Sequence, residues 1–227
     1  MRNFLETKGF KTRLIVSIGI VATFLPAYYF LDGLVLKILL SLGFAIAIAE
    51  MASIGYESKF FPSGGDLALA SFLGVGLIVS LFATSSITRE LLGTAIVAST
   101  ATDVGAYMIG KAVGSHHLPK KISSNKTYEG CFGGLLVGMI AAMLWSRNVS
   151  FIWMAPVASL GDLLESVFKR RFGVKDSNDF LIESDYGIVR FVEGLLGGKN
   201  GHGGYFDRLD SLSLVLFAQV IILTLFP

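Results

Sequence analysis

The chain is short of charge and of cysteine. Only 16% of its 227 residues are charged, against roughly 25% in an ordinary soluble domain. That deficit excludes an ordinary soluble globule. A single cysteine, Cys131, excludes an intrachain disulfide framework and a cysteine-based zinc site. The formal net charge is only +2, so no global field draws nucleic acid, which is not an expected partner. What is abundant is apolar: 53% of residues are hydrophobic and mean hydropathy is +0.66. Disorder is excluded by the same numbers, since it needs low hydrophobicity and high net charge. The remaining class is an all-α polytopic membrane protein.

A membrane-spanning helix needs about 20 mostly apolar residues. Seven segments qualify, near 14–31, 34–53, 67–84, 91–110, 130–146, 150–166 and 210–226. The fourth contains Asp103 and the sixth ends in Asp162 and Glu165, so these two are the least apolar. Arg2, Lys8, Lys11 and Arg13 precede the first run, which is longer than a signal peptide's apolar core and lacks a small-residue cleavage site. A retained first span is expected.

With the N-terminus inside, segments 1–13, 54–66, 111–129 and 167–209 share one side of the membrane. They carry sixteen of the nineteen Lys and Arg residues; only Lys37, Arg89 and Arg147 fall elsewhere. Positive residues favour the cytoplasmic side. The N-terminus and the two long polar segments are therefore expected in the cytoplasm. No tandem repeat or low-complexity tract divides the chain, and 1–227 reads as a single membrane domain.

Three polar segments carry chemistry. In the first, Asp103 and Tyr107 are four apart and share a helix face. An intramembrane carboxylate is costly and faces a protein interior or a watery cavity. Lys126 and Thr127 precede Glu129 at a helix entrance, a pairing that suits a phosphate. It also suits a simple helix cap. His116 and His117 are adjacent, do not share a face, and read as a solvated loop.

The second segment, GDLLESVFKRRFGVKD, sets Asp162, Glu165, Ser166 and Lys169 at i, i+3, i+4 and i+7. All four share one helical face. Its acids repel unless a divalent cation, or Lys169 and Arg170, compensates; oxygen ligands of this kind suit magnesium. A solvated helix end with internal pairing is the alternative.

The third, GHGGYFDRLDS, surrounds His202 with glycines and sets Asp207 and Asp210 three apart, beside Arg208. Glycines allow close backbone approach, and paired aspartates beside them look like a metal–phosphate site. A capped glycine turn at a helix start is the alternative. Together the segments bring acids, cations and glycines to one end of an apolar bundle. That combination points to phosphate chemistry with one lipidic and one water-soluble substrate.

At these residues the sequence resembles the CDP-diacylglycerol synthase family, the phosphatidate cytidylyltransferases. The family signature runs Ser-x-x-Lys-Arg, four residues, Lys-Asp, then His-Gly-Gly-x-x-Asp-Arg-x-Asp. Ser166, Lys169, Arg170, Lys175 and Asp176 match its first half, and His202, Gly203, Gly204, Asp207, Arg208 and Asp210 its second. Asp103, Ala106, Tyr107, Ser123, Lys126, Thr127, Tyr128, Glu129 and Gly130 fit a further upstream pattern. Twenty-five residues separate Asp176 from His202, where the family has a handful. Within this insertion Ile188, Val189, Phe191, Val192, Leu195 and Leu196 follow helical spacing. An amphipathic helix is predicted near 186–197, inside the cytoplasmic segment 167–209.

The resemblance implies transfer of CMP from CTP to phosphatidate, giving CDP-diacylglycerol and pyrophosphate, with magnesium as cofactor. It implies Asp176, Asp207, Asp210 and Asp162 as metal ligands, with Asp103 a further candidate. Catalytic residues would be Asp176, Asp207, Asp210, Lys169, Lys175 and His202. Substrate would be bound by Lys126, Thr127, Ser166, Arg170, Arg208, Gly203, Gly204, Asp103 and Tyr107. CTP, phosphatidate and membrane lipids are the implied partners, with a homodimer as the expected assembly. The implied location is the bacterial inner (plasma) membrane, with the active site facing the cytoplasm. Other classes compatible with the residues are a transferase for another lipid phosphate, an inactive family member and a transporter.

Overall fold

The computed structural model describes residues 28–29, 33–57, 64–119, 122–123, 126–173 and 206–225. Six α-helices occur among them. They are α1 (Gly33–Glu57), α2 (Gly64–Ser86), α3 (Arg89–Val113), α4 (Tyr128–Ser146), α5 (Met154–Arg171) and α6 (Phe206–Leu225). A 3-10 turn at Val149–Phe151 leads into α5. The only strand-like feature among the described residues is an isolated bridge between His117 and Thr127. Each of the last six predicted spans coincides with one helix. The first, 14–31, lies outside the described residues but for Tyr28 and Tyr29, and the predicted helix near 186–197 lies wholly outside them. Most of segment 167–209 lies outside them too.

Five stretches, Gly33–Ala52, Asp66–Thr84, Arg89–Val113, Tyr128–Ser146 and Val149–Arg171, are long and apolar enough to cross a membrane. The apolar part of α6, Leu209–Leu225, is shorter. Its position explains the tolerance: α6 packs against α1, α2, α3 and α5. Phe206, Leu212, Val215 and Leu216 are buried there, among Phe44, Leu77, Leu92 and Phe168.

In lipid, helices gain little from hydrophobic contrast and associate through close backbone approach. The α3–α4 pair shows why. Gly130, Gly134, Gly138 and Ala142 recur every fourth residue on α4 and are all buried. A Cβ on Gly130 would lie 2.8 Å from the Cα of Gly110, and one on Gly134 2.6 Å from the carbonyl oxygen of Thr102. Thr127 caps α4, its hydroxyl accepting from the N–H of Gly130 at 3.1 Å. The connection folds back on itself through Leu118 N–H to Lys126 O (2.9 Å) and Tyr128 N–H to His116 O (2.9 Å). That fold-back carries Lys126 from the α4 entrance toward α5.

Two buried acids fasten the same end of the bundle. Asp66, in the first turn of α2, pairs with Arg171 at the end of α5. Glu50, 2% exposed on α1, accepts the N–H of Phe206 at 2.8 Å. A carboxylate at a helix N-terminus satisfies an orphan donor and suits the dipole. Replacing Glu50 with Ala strands a buried N–H, at about 1–3 kcal/mol. Glu50→Ala is therefore expected to lower the thermal unfolding midpoint of the purified protein. Glu50→Gln, which keeps an accepting oxygen, should recover most of the loss.

Candidate active site

A cavity of about 780 Å³ opens where α3, α4, α5 and α6 meet. α3 and α5 each contribute residues that share a helix face by their spacing. Asp103 and Tyr107 come from α3, and Asp162, Glu165, Ser166 and Lys169 from α5, with Arg170 at the rim. Lys126 and Thr127 come from the α4 entrance, and Asp210 from the second turn of α6.

The geometry separates the acids from the cations only slightly. One carboxylate oxygen from each of Asp162, Glu165 and Asp210 lies within 4.8 Å of the others. Glu165 and Asp210 are 2% and 4% exposed, so water screens them little. Two ionised carboxylates at that distance repel by roughly 3 kcal/mol at an effective dielectric of 20. Lysines answer part of this charge. Lys126 Nζ lies 2.6 Å from Asp162 Oδ1, and it donates to Ser166 Oγ at 2.9 Å and to the Asp162 carbonyl at 3.1 Å. Lys169 Nζ lies 2.6 Å from Glu165 Oε1. Among the described residues no ion pair is made by Asp210, while Asp103 accepts from Ser211 Oγ at 3.3 Å.

The donor set fits a divalent cation. Three hard carboxylate oxygens converge on a polar cavity, and magnesium takes hard oxygen ligands of this kind, usually one or two carboxylates with water or phosphate oxygens. At metal–oxygen distances of about 2.1 Å, neighbouring ligands of an octahedral ion stand about 3 Å apart and opposed ones about 4.2 Å, so oxygens within 4.8 Å of one another would draw closer together to hold it.

The close approach of α5 and α6 assembles this cluster. A Cβ on Gly161 would lie 2.8 Å from the carbonyl oxygen of Asp210 and 2.9 Å from the Cα of Ser211. Only a residue without a side chain lets Asp162 and Glu165 stand against Asp210.

Asp103, Tyr107, Lys126, Thr127, Asp162, Ser166, Lys169, Arg170 and Asp210 thus all line one cavity. Thr127 also spends its hydroxyl acceptor on the α4 cap. Glu129 does not complete a capping box; it binds His116 instead, through the backbone N–H at 3.2 Å and Nδ1 at 2.5 Å. Lys175, Asp176, His202, Gly203 and Gly204 lie outside the described residues. Asp207 and Arg208 fall in the first turn of α6, where Phe206 and Leu209 are the described side chains.

Asp176 and the Asp207 side chain lie outside what the structure describes. Glu165, which is not among the metal ligands that the resemblance implies, joins Asp162 and Asp210 in the carboxylate cluster. Its position on the acidic stripe was the available signal. Glu50 and Gly161 carried weaker signals, a lone acid in an apolar run and a glycine one residue before an acid.

Comparison with known proteins gives the chain relatives. A family model described as the cytidylyltransferase family matches residues 63–184. A phosphatidate cytidylyltransferase of Staphylococcus saprophyticus is 32% identical, over 95% of this chain and 79% of its own length. One of Staphylococcus aureus is 32% identical, over 89% of this chain and 75% of its own. One of Staphylococcus epidermidis is 31% identical, over 95% and 79%. No solved structure matches the chain.

Proposed function

The chain belongs to the cytidylyltransferase family, and from that membership we infer that it is a phosphatidate cytidylyltransferase. It transfers CMP from CTP to phosphatidate, releasing pyrophosphate and giving CDP-diacylglycerol. The observation that carries this reading is the cavity itself. It joins a carboxylate cluster to lysines at one end of an apolar bundle.

A phosphatidate phosphate oxygen attacks the α-phosphorus of CTP, and the bond from that phosphorus to the β-phosphate oxygen breaks. The nucleophile is already an anion, so no general base is obligatory. Asp162, Glu165 and Asp210 are the residues that would hold magnesium, with Asp176 and Asp207 as further ligands. Bound there, the ion supplies charge neutralisation and polarisation at the reacting phosphorus. Lys126 and Lys169 are tied to Asp162 and Glu165 in this structure. Once those acids are otherwise engaged, both ammonium groups are available to phosphate oxygens, with Arg170, Lys175 and Arg208 beside them. Their work is positioning and charge neutralisation. Ser166, Thr127 and Tyr107 provide hydroxyls on the cavity wall, and His202, with Gly203 and Gly204, orients a phosphate.

Seven spans, a cytoplasmic N-terminus and a cytoplasm-facing cavity in the inner membrane complete the proposal. The one-sided distribution of sixteen of nineteen Lys and Arg supports that orientation.

Purified protein given CTP and phosphatidate is expected to form CDP-diacylglycerol with magnesium and to stop when the metal is chelated. Folded protein that forms none under any metal condition would overturn the reading.

A further inference from the structure

The end of the bundle away from the carboxylates holds a second cavity, of about 560 Å³, between the start of α1 and the start of α3. Gly33, Lys37 and Ser41 recur every fourth residue on one face of α1 and line it. Arg89, the first residue of α3, faces them, and Leu34 and Ile38 complete the wall. Asp103 lies fourteen residues along α3 from Arg89, about 21 Å at helical rise, so the two cavities are distinct.

Lys37 and Arg89 are two of the three Lys and Arg outside the cytoplasm-assigned segments. Their meeting at one cavity is a concentration of charge where cations are scarce. Arg89 also sits at a helix N-terminus, where the dipole disfavours a cation, so α3 gains nothing electrostatic from it. Its guanidinium carbon lies 4.8 Å from the centroid of the Tyr28 ring. Its Nε is buried and makes no hydrogen bond among the described residues. A buried donor without a partner is costly and calls for an acceptor.

The surroundings say what kind of molecule carries that acceptor. Tyr28 stacks edge-on with Tyr29 and with Trp145, at centroid distances of 5.4 and 5.1 Å. Tyr and Trp gather at the headgroup level of a bilayer. Leu34 and Ile38, 64% and 57% exposed, present an apolar surface beside the cations. Cations, interfacial aromatics and exposed aliphatics in one place match a phosphate with acyl chains attached.

We propose that this cavity binds an anionic phospholipid of the membrane, with its phosphate between Arg89 and Lys37 and its chains starting along Leu34 and Ile38. The site is separate from the reaction and does not depend on its identity.

The test uses the whole protein in phosphatidylcholine vesicles, with and without phosphatidylglycerol. Thermal midpoint and retained lipid, by native mass spectrometry, are the readouts. Phosphatidylglycerol should raise the midpoint of wild-type protein and be retained by it. The Lys37→Gln/Arg89→Gln pair should lose the shift and bind roughly tenfold less tightly. Should the pair fail to fold, Lys37→Gln alone should show a partial loss and Arg89→Lys should keep most binding. Arg147→Gln, an exposed cation outside the cavity, and Lys126→Gln, in the other cavity, should keep the shift. Unchanged retention in the Lys37 and Arg89 variants would overturn the proposal. So would loss of the shift in Lys126→Gln, or an equal Arg89-dependent shift from inorganic phosphate alone.

Discussion

Asp210→Asn is expected to reduce turnover by about a thousandfold or more while the protein remains folded. Asp210 is one of three carboxylates within 4.8 Å of one another and is 4% exposed. Asparagine keeps its shape and removes its charge. A divalent ion at this site contributes several kcal/mol of transition-state stabilisation, and about 4 kcal/mol corresponds to a factor of a thousand. Stability should move the other way. The substitution relieves repulsion among buried acids, so the thermal midpoint in chelator should equal or exceed that of wild type. Magnesium at a hundred times its dissociation constant should stabilise wild-type protein by about 2.7 kcal/mol, and this gain should vanish in the variant. Near-normal turnover, or a retained magnesium shift, would remove Asp210 from the metal-binding set. A large fall in midpoint without metal would assign it a structural role.

Gly161→Ala should cost about a hundredfold in turnover, through geometry rather than lost chemistry. The added methyl would sit 2.8 Å from the Asp210 carbonyl and 2.9 Å from the Ser211 Cα. Both are backbone atoms and cannot rotate away, so α5 and α6 must separate. Such overpacking costs about 1–3 kcal/mol. Misplacing catalytic groups by as little as 1 Å costs about a hundredfold in rate. The separation falls between the α5 acids, Asp162 and Glu165, and Asp210 on α6. Gly161→Val should be worse on both counts. Gly76→Ala on α2 is the control, since its Cβ would meet nothing within 4 Å; stability there should hold or rise by up to about 1 kcal/mol. Unimpaired turnover in Gly161→Ala would show that the α5–α6 spacing does not set the acid cluster.

Much of the cavity is written in local spacing. Asp103 with Tyr107, and Asp162 with Glu165, Ser166 and Lys169, reach the cavity wall because residues three, four and seven apart share a helix face. Thr127 reads both as a cap and as a wall residue, and it is both. Glu165 was visible on that face. Only its convergence with Asp210, 45 residues on, marks it as part of the cluster.

By itself, then, the sequence determined the helical class, the position of six helices and the chemical character of the polar end. Apolar run length and the period of 3.6 are properties of each segment alone. Tertiary structure decided which faces meet. Lys126 reaches Asp162 across 36 residues, Ser211 reaches Asp103 across 108, and Glu50 reaches Phe206 N–H across 156. α1 and α4 are apolar around most of their circumference, with Leu34, Leu39, Phe132 and Leu144 all exposed. For such helices hydrophobic periodicity cannot say which side faces a neighbour. The choice falls to close approach at small residues and to a few buried polar contacts, and these exist only once the helices are packed.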